Sequence, residues 1–449
     1  MTARSQPDGL AGIPLGFPWS DLPDPIDLDD VLVTRTRPGI VLGLERMRAA
    51  LADGGHPERR FPAVQVAGTN GKGSIATFLH AILQAAGLRT GVYRSPHLRS
   101  WCERIQLGER WIDGETLRQD LRRWQAHAER HSLTVFELFT AAAMDRFARE
   151  ALDLVVLEVG LGGRLDATTA HPSRTVVGFG PIGLDHQDFL GDTLAAIATE
   201  KAGVMTAGQV AISAPQAPEA TEVLEWQARQ HGCDLRWVDP LPTREEGGPA
   251  LGLPGGVQCA NAAVAVGMAR SLRARGWPIP ERALWQGLAR ARWPGRLERR
   301  SWRGRPLLLD GAHNPAGASA LRQELDRMEA ASPVAPPQGR RWLVAIQRTK
   351  DAPAMLDALL APRDDVALGA LRNLPCWCEE ELSRERPHLR GRLRTVAHPQ
   401  EGLDWLRAEG PLPVVAGSLH WLGEIWPLLD PPNGPAAVLG EGASLRDAR

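Results

Sequence analysis

The feature that most restricts the fold of this 449-residue chain is a glycine-rich heptapeptide between an apolar strand and an amphipathic helix. Residues 63–67 read as a short strand, and GTNGKGS follows at residues 68–74. The next apolar residues recur at helical spacing: Ile75, Phe78, Leu79, Ile82 and Leu83. A strand, a glycine-rich turn and a helix in this order are typical of α/β folds that cradle an anion at the helix N-terminus.

The heptapeptide predicts a site for nucleotide phosphates. Its glycines allow successive backbone N–H groups to turn toward an anion, Lys72 supplies a compact positive charge, and Ser74 places a hydroxyl near Mg²⁺. The predicted ATP-binding residues of the loop are Gly68, Thr69, Asn70, Gly71, Lys72, Gly73 and Ser74. The spacing differs from G-x-x-x-x-G-K-[ST], so a plain strand-to-helix turn is the alternative.

Strands that alternate with helices predict an α/β fold with a mostly parallel sheet. Pro-Gly in ARWPGRLE, after which the alternation begins again, indicates a domain boundary near residue 296. We expect a larger domain over residues 1–295, with an irregular lead-in over 1–30, and a smaller domain over 296–430. Residues 431–449 read as a mobile tail.

Composition restricts the partners and the compartment. A net charge of -1 and a pI of about 6.9 give no reason to expect nucleic acid or an anionic membrane as the main partner. Five cysteines without paired CxxC spacing favour a reducing cytoplasm. The chain has no apolar run long enough for a transmembrane helix, and its N-terminus does not resemble a signal peptide.

Three residues outside the loop suggest polar chemistry. Glu158 ends the apolar run LVVLE, where a carboxylate is costly unless it is paired or binds a metal. At the carboxyl end of a parallel strand it would face the ligand crevice, although a solvent-facing edge strand is the alternative. His186 in GLDH and Ser95 in YRSPHL are weaker candidates by themselves.

The chain has 52 Lys and Arg residues but only three lysines: Lys72, Lys201 and Lys350. In a predicted helix with Asp192 as its N-cap and Gly203 after its end, Lys201 continues the apolar stripe and should point inward. A lysine that reaches back to solvent is the alternative. Because this chain otherwise uses arginine, Lys201 indicates a role that needs an amine, such as a buried amine that loses its proton.

The motifs together resemble the folylpolyglutamate synthases and the bifunctional dihydrofolate synthase/folylpolyglutamate synthases of the wider Mur ligase family. They run from about Gly43 to Glu424 in the expected order: GTNGKGS, YRSPHL with ERI, LTVFE, LEVGLGGRLDAT, GLDH, LGDT, EKAG, PGR, DGAHNP and AGSL. The resemblance implies a P-loop Mur-ligase-type ATPase domain followed by a smaller Rossmann-like domain. It also implies a monomer with small-molecule substrates.

The implied activity is ATP-dependent ligation of L-glutamate to dihydropteroate or a folate through an acyl phosphate. The resemblance assigns the metal set Ser95, Glu158, His186 and Lys201, with Lys201 carbamylated and two Mg²⁺ ions bound. It assigns Lys72, Lys201 and His313 to catalysis. It also assigns Asn261, Arg296 and Asp310 to ATP, and Thr134, Asp166 and Ser418 to the other substrates.

The chain departs from the family pattern at three places. Thr169 stands where Asn is usual, Thr349-Lys350-Asp351 replaces DKD, and His420 replaces an aromatic residue. The alternatives are another Mur-type ligase with a different acid acceptor and a P-loop ATPase switch. The switch leaves DGAHNP and AGSL without an explanation.

Overall fold

The computed structural model describes residues 22–32, 39–330, 339–406 and 410–431. The chain divides into two compact units, one spanning Pro23–Trp293 and the other beginning at Pro294. The boundary expected near residue 296 lies two residues from this division, and the function of each unit stays a prediction. Most of the expected lead-in (residues 1–21) and nearly all of the expected tail (residues 432–449) lie outside the described residues.

The first unit is built on a sheet in which strands β2, β5, β1, β6, β7 and β8 lie side by side and parallel. Strands β3 and β4 extend the β2 edge with antiparallel pairing. The strands are β1 (Ala63–Ala67), β2 (Thr90–Tyr93), β3 (Ile105–Leu107), β4 (Arg110–Trp111), β5 (Leu154–Glu158), β6 (Arg174–Phe179), β7 (Val210–Ser213) and β8 (Asp234–Trp237).

Helices cover both faces of this sheet because alternate strand residues point to opposite sides. Val64 and Val156 pack with α3, α9 and α10, whereas Val155 and Leu157 pack with α4 and α5. The helices are α1 (Asp29–Leu32), α2 (Glu45–Asp53), α3 (Lys72–Ala85), α4 (Gly114–His131), α5 (Val135–Arg149), α6 (Gln187–Leu190), α7 (Leu194–Ala202), α8 (Pro218–His231), α9 (Val257–Ala274) and α10 (Glu281–Arg290).

The second unit has its own sheet in the order β13-β12-β11-β14-β10-β9, parallel except for the β9–β10 pair. Its strands are β9 (Glu298–Trp302), β10 (Arg305–Leu309), β11 (Arg341–Val344), β12 (Asp365–Leu368), β13 (Leu393–Thr395) and β14 (Val414–Ala416). Its helices are α11 (Pro315–Ala330), α12 (Ala352–Leu359), α13 (Glu379–Glu385), α14 (Pro399–Trp405) and α15 (Leu419–Ile425). A separate apolar core fills this unit.

The α/β class and the mostly parallel sheet agree with the prediction. In both units the carboxyl ends of the parallel strands meet at one edge, which is where ligands bind in open α/β sheets. None of the helices in the described part of the chain combines the length and the apolar character that a bilayer crossing requires.

Candidate active site

The loop at residues 68–74 joins β1 to α3, and glycine is required at two of its positions. Gly71 is the N-cap of α3 with φ 78°, and a Cβ there would lie 2.3 Å from Oδ1 of Asn261. Gly68 has φ 138°, and its Cβ would lie 3.0 Å from the backbone of Gly180. A side chain at Gly71 would collide with Asn261 and one at Gly68 would press on the Gly180 backbone, so glycine is needed for this loop conformation.

Part of the loop is held by the segment that follows β6. The N–H groups of Thr69 and Asn70 donate to the carbonyl of Pro181 at 2.9 and 3.1 Å. The Thr69 hydroxyl donates to the Gly183 carbonyl at 2.9 Å and accepts from the Gly183 N–H at 3.0 Å. Two of the amides expected to bind phosphate therefore shape the loop instead. The first turn of α3 offers other amides, because the first N–H groups of a helix have no intrahelical acceptor.

Two lysines meet at one carbonyl oxygen. Lys72 Nζ donates to the Gly68 carbonyl at 3.2 Å and to the Thr69 carbonyl at 2.9 Å, and Lys201 Nζ donates to the same Gly68 carbonyl at 2.9 Å. Lys201 is only 4% exposed. Burial, together with the neighbouring Lys72 charge, lowers the pKa of Lys201 to about 7, against the opposing attraction of Asp185 and Asp166. The position therefore suits an amine that can be neutral.

Helix α7 carries Lys201 inward, as its spacing predicts. Ile197 and Ala198 on the same face are buried, whereas Glu200 is partly exposed. The predicted N-cap at Asp192 is wrong: Thr193 caps the helix, and its hydroxyl accepts from the Ala196 N–H at 3.1 Å. The helix therefore begins one residue later than it would with Asp192 as its N-cap. Gly203 follows its last residue, as predicted.

Glu158 is the last residue of β5, which lies between β2 and β1 and is not an edge strand. Its side chain is buried, so the solvent-facing alternative is wrong. Both carboxylate oxygens lie 3.7 Å from the position that a Cβ at Gly73 would take. The carboxylate therefore lies beside the first turn of α3, where a cation could reach both it and a bound phosphate.

Two other predicted metal residues, Ser95 and His186, lie in loops after parallel strands of the same sheet as Glu158. Ser95 follows β2, which pairs with β5, and His186 lies in the loop after β6. The His186 side chain is 40% exposed, and its Nε2 is 3.9 Å from Oδ1 of Asp185. No cluster of three His, Cys, Asp or Glu side chains suited to a metal occurs within the described ranges. The predicted metal set is of a different kind, because it includes the hydroxyl of Ser95 and the amine of Lys201.

These donors fit a hard cation beside nucleotide phosphates in chemical type. A carboxylate and a hydroxyl are oxygen ligands of the kind that Mg²⁺ prefers. The imidazole of His186 is less usual for Mg²⁺ and better suits Mn²⁺. The glycines and the first turn of α3 fit the phosphates themselves.

Two of the three predicted substrate residues, Thr134 and Asp166, cap local structure. Thr134 is the N-cap of α5 in a capping box with Glu137. Asp166 accepts N–H bonds from Gly160 and Leu161 at one oxygen, and an N–H and a hydroxyl bond from Thr168 at the other. Both residues are buried, so a substrate contact by either stays a prediction.

An aromatic residue beside Asp166 was not predicted. A Cβ at Gly160 would lie 2.5 Å from the Phe136 ring and 3.2 Å from Oδ2 of Asp166. The ring centroid of Tyr93 lies 6.0 Å from that of Phe136. An aromatic ring beside a carboxylate suits a flat heterocycle with N–H donors. Phe136 lies within LTVFE, so its motif was the available signal.

In the second unit, PGR and DGAHNP pack against each other. The Gly311 N–H donates to the Gly295 carbonyl at 2.8 Å, and a Cβ at Gly311 would lie 2.4 Å from Nη1 of Arg296. Asp310 follows β10 and accepts from the N–H groups of Leu297 and Ala312, both at 2.9 Å. Burial raises the pKa of Asp310, and the charge of Arg296 opposes this.

His313 and Ser418 lie near this packing. His313 Nδ1 is 2.8 Å from the Gly311 carbonyl oxygen. Because a carbonyl can only accept a hydrogen bond, Nδ1 carries a proton and donates it. The Gly417 N–H donates to the Ala312 carbonyl at 3.0 Å, which places Ser418 next to DGAHNP. The structure therefore brings together the four predicted residues of this unit: Arg296, Asp310, His313 and Ser418.

Comparisons with known proteins show the family of this chain. The model of the dihydrofolate synthetase C-terminal domain matches residues 296–377. The dihydrofolate synthase/folylpolyglutamate synthase of Bacillus subtilis is 35% identical over 326 residues, which are 66% of this chain and 75% of the relative. The dihydrofolate synthetase of Saccharomyces cerevisiae is 32% identical over 75% of this chain and 82% of its own length. This chain belongs to the dihydrofolate synthase/folylpolyglutamate synthase family.

Solved structures of the family share the fold. E. coli FolC in complex with DHPP and ADP is 30% identical, with a TM-score of 0.77 over 92% of this chain and 98% of that one. The Yersinia pestis bifunctional enzyme complexed with AMPPNP and a Mn ion is also 30% identical, with a TM-score of 0.77 over 89% of this chain and 96% of that one. The predicted family and fold class are confirmed.

Proposed function

We propose that this protein is an ATP-dependent ligase that joins the amino group of L-glutamate to the carboxylate of dihydropteroate or of a folate, with release of ADP and phosphate. The observation that carries the proposal is the meeting of Lys72, Lys201 and Glu158 around the β1–α3 loop. Family membership supplies the substrate class, because FolC binds DHPP and ADP in its solved complex.

The reaction needs ATP because a carboxylate is a poor electrophile. An oxygen of the acceptor carboxylate forms a bond to the γ-phosphorus of ATP as the bond to the ADP oxygen breaks. The glutamate nitrogen then attacks the acyl carbon and loses a proton, and the C–O bond to phosphate breaks. Charge builds on phosphoryl oxygens in the first step, so preorganised cationic groups and amides stabilise it.

We assign the phosphate contacts to Lys72 and to the amides in the first turn of α3. Asn261 lies against Gly71 and is placed to orient the nucleotide at this end of the loop. Arg296 and Asp310 are our proposed ATP contacts from the second unit. These roles rest on position and resemblance.

We assign a Mg²⁺ site to Ser95, Glu158 and His186, which lie at the carboxyl ends of parallel strands of one sheet or in the loops that follow them. The ion, when bound, neutralises charge on the phosphoryl group. We further propose a second Mg²⁺ at Lys201.

Lys201 would reach this ion as a carbamate. The neutral amine adds to carbon dioxide and loses a proton, which converts a potential cation into an anion. The burial of Nζ beside the ammonium group of Lys72 favours this, because the carbamate replaces repulsion between two cations with attraction. Arginine cannot readily undergo the same reaction.

Further residues are proposed to bind the acceptor and the amino acid. We propose that Thr134, Asp166 and Phe136 bind the pterin-bearing acceptor. Ser418 would contact glutamate, and His313, whose Nδ1 is 2.8 Å from the Gly311 carbonyl, would act near the attacking amine as a catalytic group. We also infer that the protein is a monomer. We infer a cytoplasmic site of action because the five cysteines form no disulfide.

A panel of acceptors tests this function. Protein, ATP, Mg²⁺ and L-glutamate are incubated with dihydropteroate, with tetrahydrofolate or with a UDP-muramoyl acceptor, and the products are identified by mass. We expect a glutamyl adduct of dihydropteroate, of tetrahydrofolate or of both, and none of the UDP-muramoyl acceptor. ADP release should require both the acceptor and glutamate. ATP hydrolysis that needs neither substrate, or an adduct only of the UDP-muramoyl compound, would contradict the proposal.

A further inference from the structure

Gly73, the residue that separates Lys72 from Ser74, lies in a confined position. A Cβ there would lie 3.2 Å from Nε1 of Trp293 and 3.7 Å from both carboxylate oxygens of Glu158. The indole and the carboxylate therefore lie against the same turn of α3. The structure thus explains the unusual glycine between the lysine and the serine of the loop.

Trp293, the last residue of the first unit, is held by a buried arginine. The guanidinium carbon of Arg94 lies 4.6 Å from the centroid of the Trp293 ring and 5.7 Å from that of Trp111. The two indole rings are 6.0 Å apart. Stacking of a guanidinium on indole rings is favourable, and more so where water is excluded.

Arg94 is also adjacent to the proposed metal site. It follows β2, precedes Ser95 and is only 1% exposed. Burial lowers its pKa to about 10, while the charges of Glu158 and Glu103 oppose that shift. Its Nη1 donates to Gln106 Oε1 at 2.6 Å, but its Nε has no hydrogen-bond partner within the part of the chain that is described.

A buried arginine with an unsatisfied nitrogen is costly for the folded state. Stability alone would be served as well by an apolar side chain of similar size. Arg94 stacks on the Trp293 ring and attracts the Glu158 carboxylate. Both of these groups lie against Gly73. This connection indicates a role at the phosphate loop.

We propose that Arg94 is a positioning residue for the metal–nucleotide complex, which holds the Trp293 indole and the Glu158 carboxylate against the first turn of α3. In this proposal Arg94 contacts none of the substrates. It acts through Trp293, by stacking, and through Glu158, by charge. The proposal rests on the proposed function in requiring that the loop bind a nucleotide and that Glu158 bind the accompanying metal ion.

Calorimetric titration with AMPPNP, with and without Mn²⁺, tests the proposal without requiring ligation. In Arg94→Met, which keeps side-chain length and removes the charge and the planar group, we expect Mn²⁺–AMPPNP to bind about tenfold more weakly. AMPPNP without metal should lose less affinity, because the orientation of Glu158 matters mainly to the ion. In a ligation assay the Mg²⁺ concentration for half-maximal rate should rise, with a smaller change in kcat.

Arg300→Met is the matched control. Arg300 is likewise buried and stacks on a tryptophan, with its guanidinium carbon 4.5 Å from the Trp426 centroid, but it lies in the second unit. Its loss leaves the buried Glu298 carboxylate, 3.5 Å away, without this cationic partner, so we expect a lower thermal midpoint, while the affinity for Mn²⁺–AMPPNP stays within about twofold of the wild-type value.

Unchanged Mn²⁺–AMPPNP affinity in a folded Arg94→Met protein would overturn the proposal, as would an equal loss in Arg300→Met. If Arg94→Met does not fold, Trp293→Leu takes its place. That variant removes the stacked ring and should show the same metal-dependent loss, and wild-type affinity in it would also overturn the proposal. Failure of the wild-type protein to bind the nucleotide would instead contradict the proposed function.

Discussion

Lys201 is the residue on which the chemistry of the site depends most. Its Nζ donates to the Gly68 carbonyl, and the side chain is 4% exposed. In Lys201→Arg we expect the ligation rate to fall at least about a hundredfold while the fold is kept, because arginine keeps the charge but cannot form a carbamate. The rate of ADP release with all substrates present, together with circular dichroism, measures this.

A second variant separates loss of the carbamate from distortion of the site. Lys201→Ala leaves space beside the Gly68 carbonyl, and added formate or acetate should restore part of the ligation rate by supplying a carboxylate. Wild-type-like activity of Lys201→Arg would exclude a catalytic carbamate at this position.

At the residue scale, prediction from sequence depended on local pattern. Helical spacing and scarcity of lysine identified Lys201, and an acidic residue in an apolar run identified Glu158. The stacking of Arg94 on Trp293 joins residues about 200 positions apart, so no local pattern could indicate it. The hydrogen bonds of Asp166 are local, to Gly160, Leu161 and Thr168, but they depend on the conformation of an irregular loop that no apolar pattern indicates.

At the element scale, the junction of β1 and α3 can be tested with two glycines. Gly71 and Gly87 both have left-handed φ angles, 78° and 84°, but a Cβ at Gly71 would collide with Asn261 whereas one at Gly87 meets nothing within 4 Å. Alanine at either position should cost about 1 kcal/mol of stability from backbone strain. Only Gly71→Ala should lose affinity for AMPPNP in calorimetry.

The Gly87→Ala protein is the control, because the same strain is introduced at the other end of α3. Equal AMPPNP affinity in the two variants would show that the close approach to Asn261 does not matter for nucleotide binding.

Helix α3 also carries a histidine that should make stability depend on pH. His80 is buried, with Nε2 2.9 Å from the Gly108 carbonyl and Nδ1 3.0 Å from the Thr90 hydroxyl. Burial and the charge of Arg94 lower its pKa to about 3. Between about pH 6.5 and 3 the unfolded chain therefore takes up a proton that the folded chain does not, so the free energy of unfolding falls as pH falls.

From pH 7 to pH 5 this single group should remove about 2 kcal/mol from the free energy of unfolding. Urea unfolding of the wild-type protein and of His80→Gln at both pH values isolates the effect, because other groups titrate in both proteins. If the free energy of unfolding changed equally between the two pH values in both proteins, His80 would not be held neutral in the folded state.

Strands with a clear apolar run were predicted from the sequence, whereas a strand without such a run gave no signal. Strand β1 occupies the predicted range, residues 63–67, and β5 coincides with the apolar run LVVLE that ends at Glu158. Strand β8 is mostly exposed and carries charged residues, so it has no apolar run to indicate it. The order of strands in each sheet depends on long-range pairing and was not predicted.

At the scale of the whole molecule, family motifs in fixed order predicted more than local patterns could. They predicted the ligase family, which sequence relatives of 35% and 32% identity confirm. The structure adds that the motifs of each unit meet at the carboxyl ends of its own parallel strands. The choice between dihydropteroate and folates depends on the shape of the acceptor site, which no motif encodes.

The central claim, that ATP activates the acceptor carboxylate as an acyl phosphate, can be tested by following one oxygen atom. The acceptor is prepared with ¹⁸O in its carboxylate and incubated with ATP, Mg²⁺ and L-glutamate, and the released phosphate is analysed by mass spectrometry. Because the C–O bond breaks when the amine attacks, the account predicts one ¹⁸O atom in each phosphate released with product. Formation of the glutamyl product with unlabelled phosphate would contradict it.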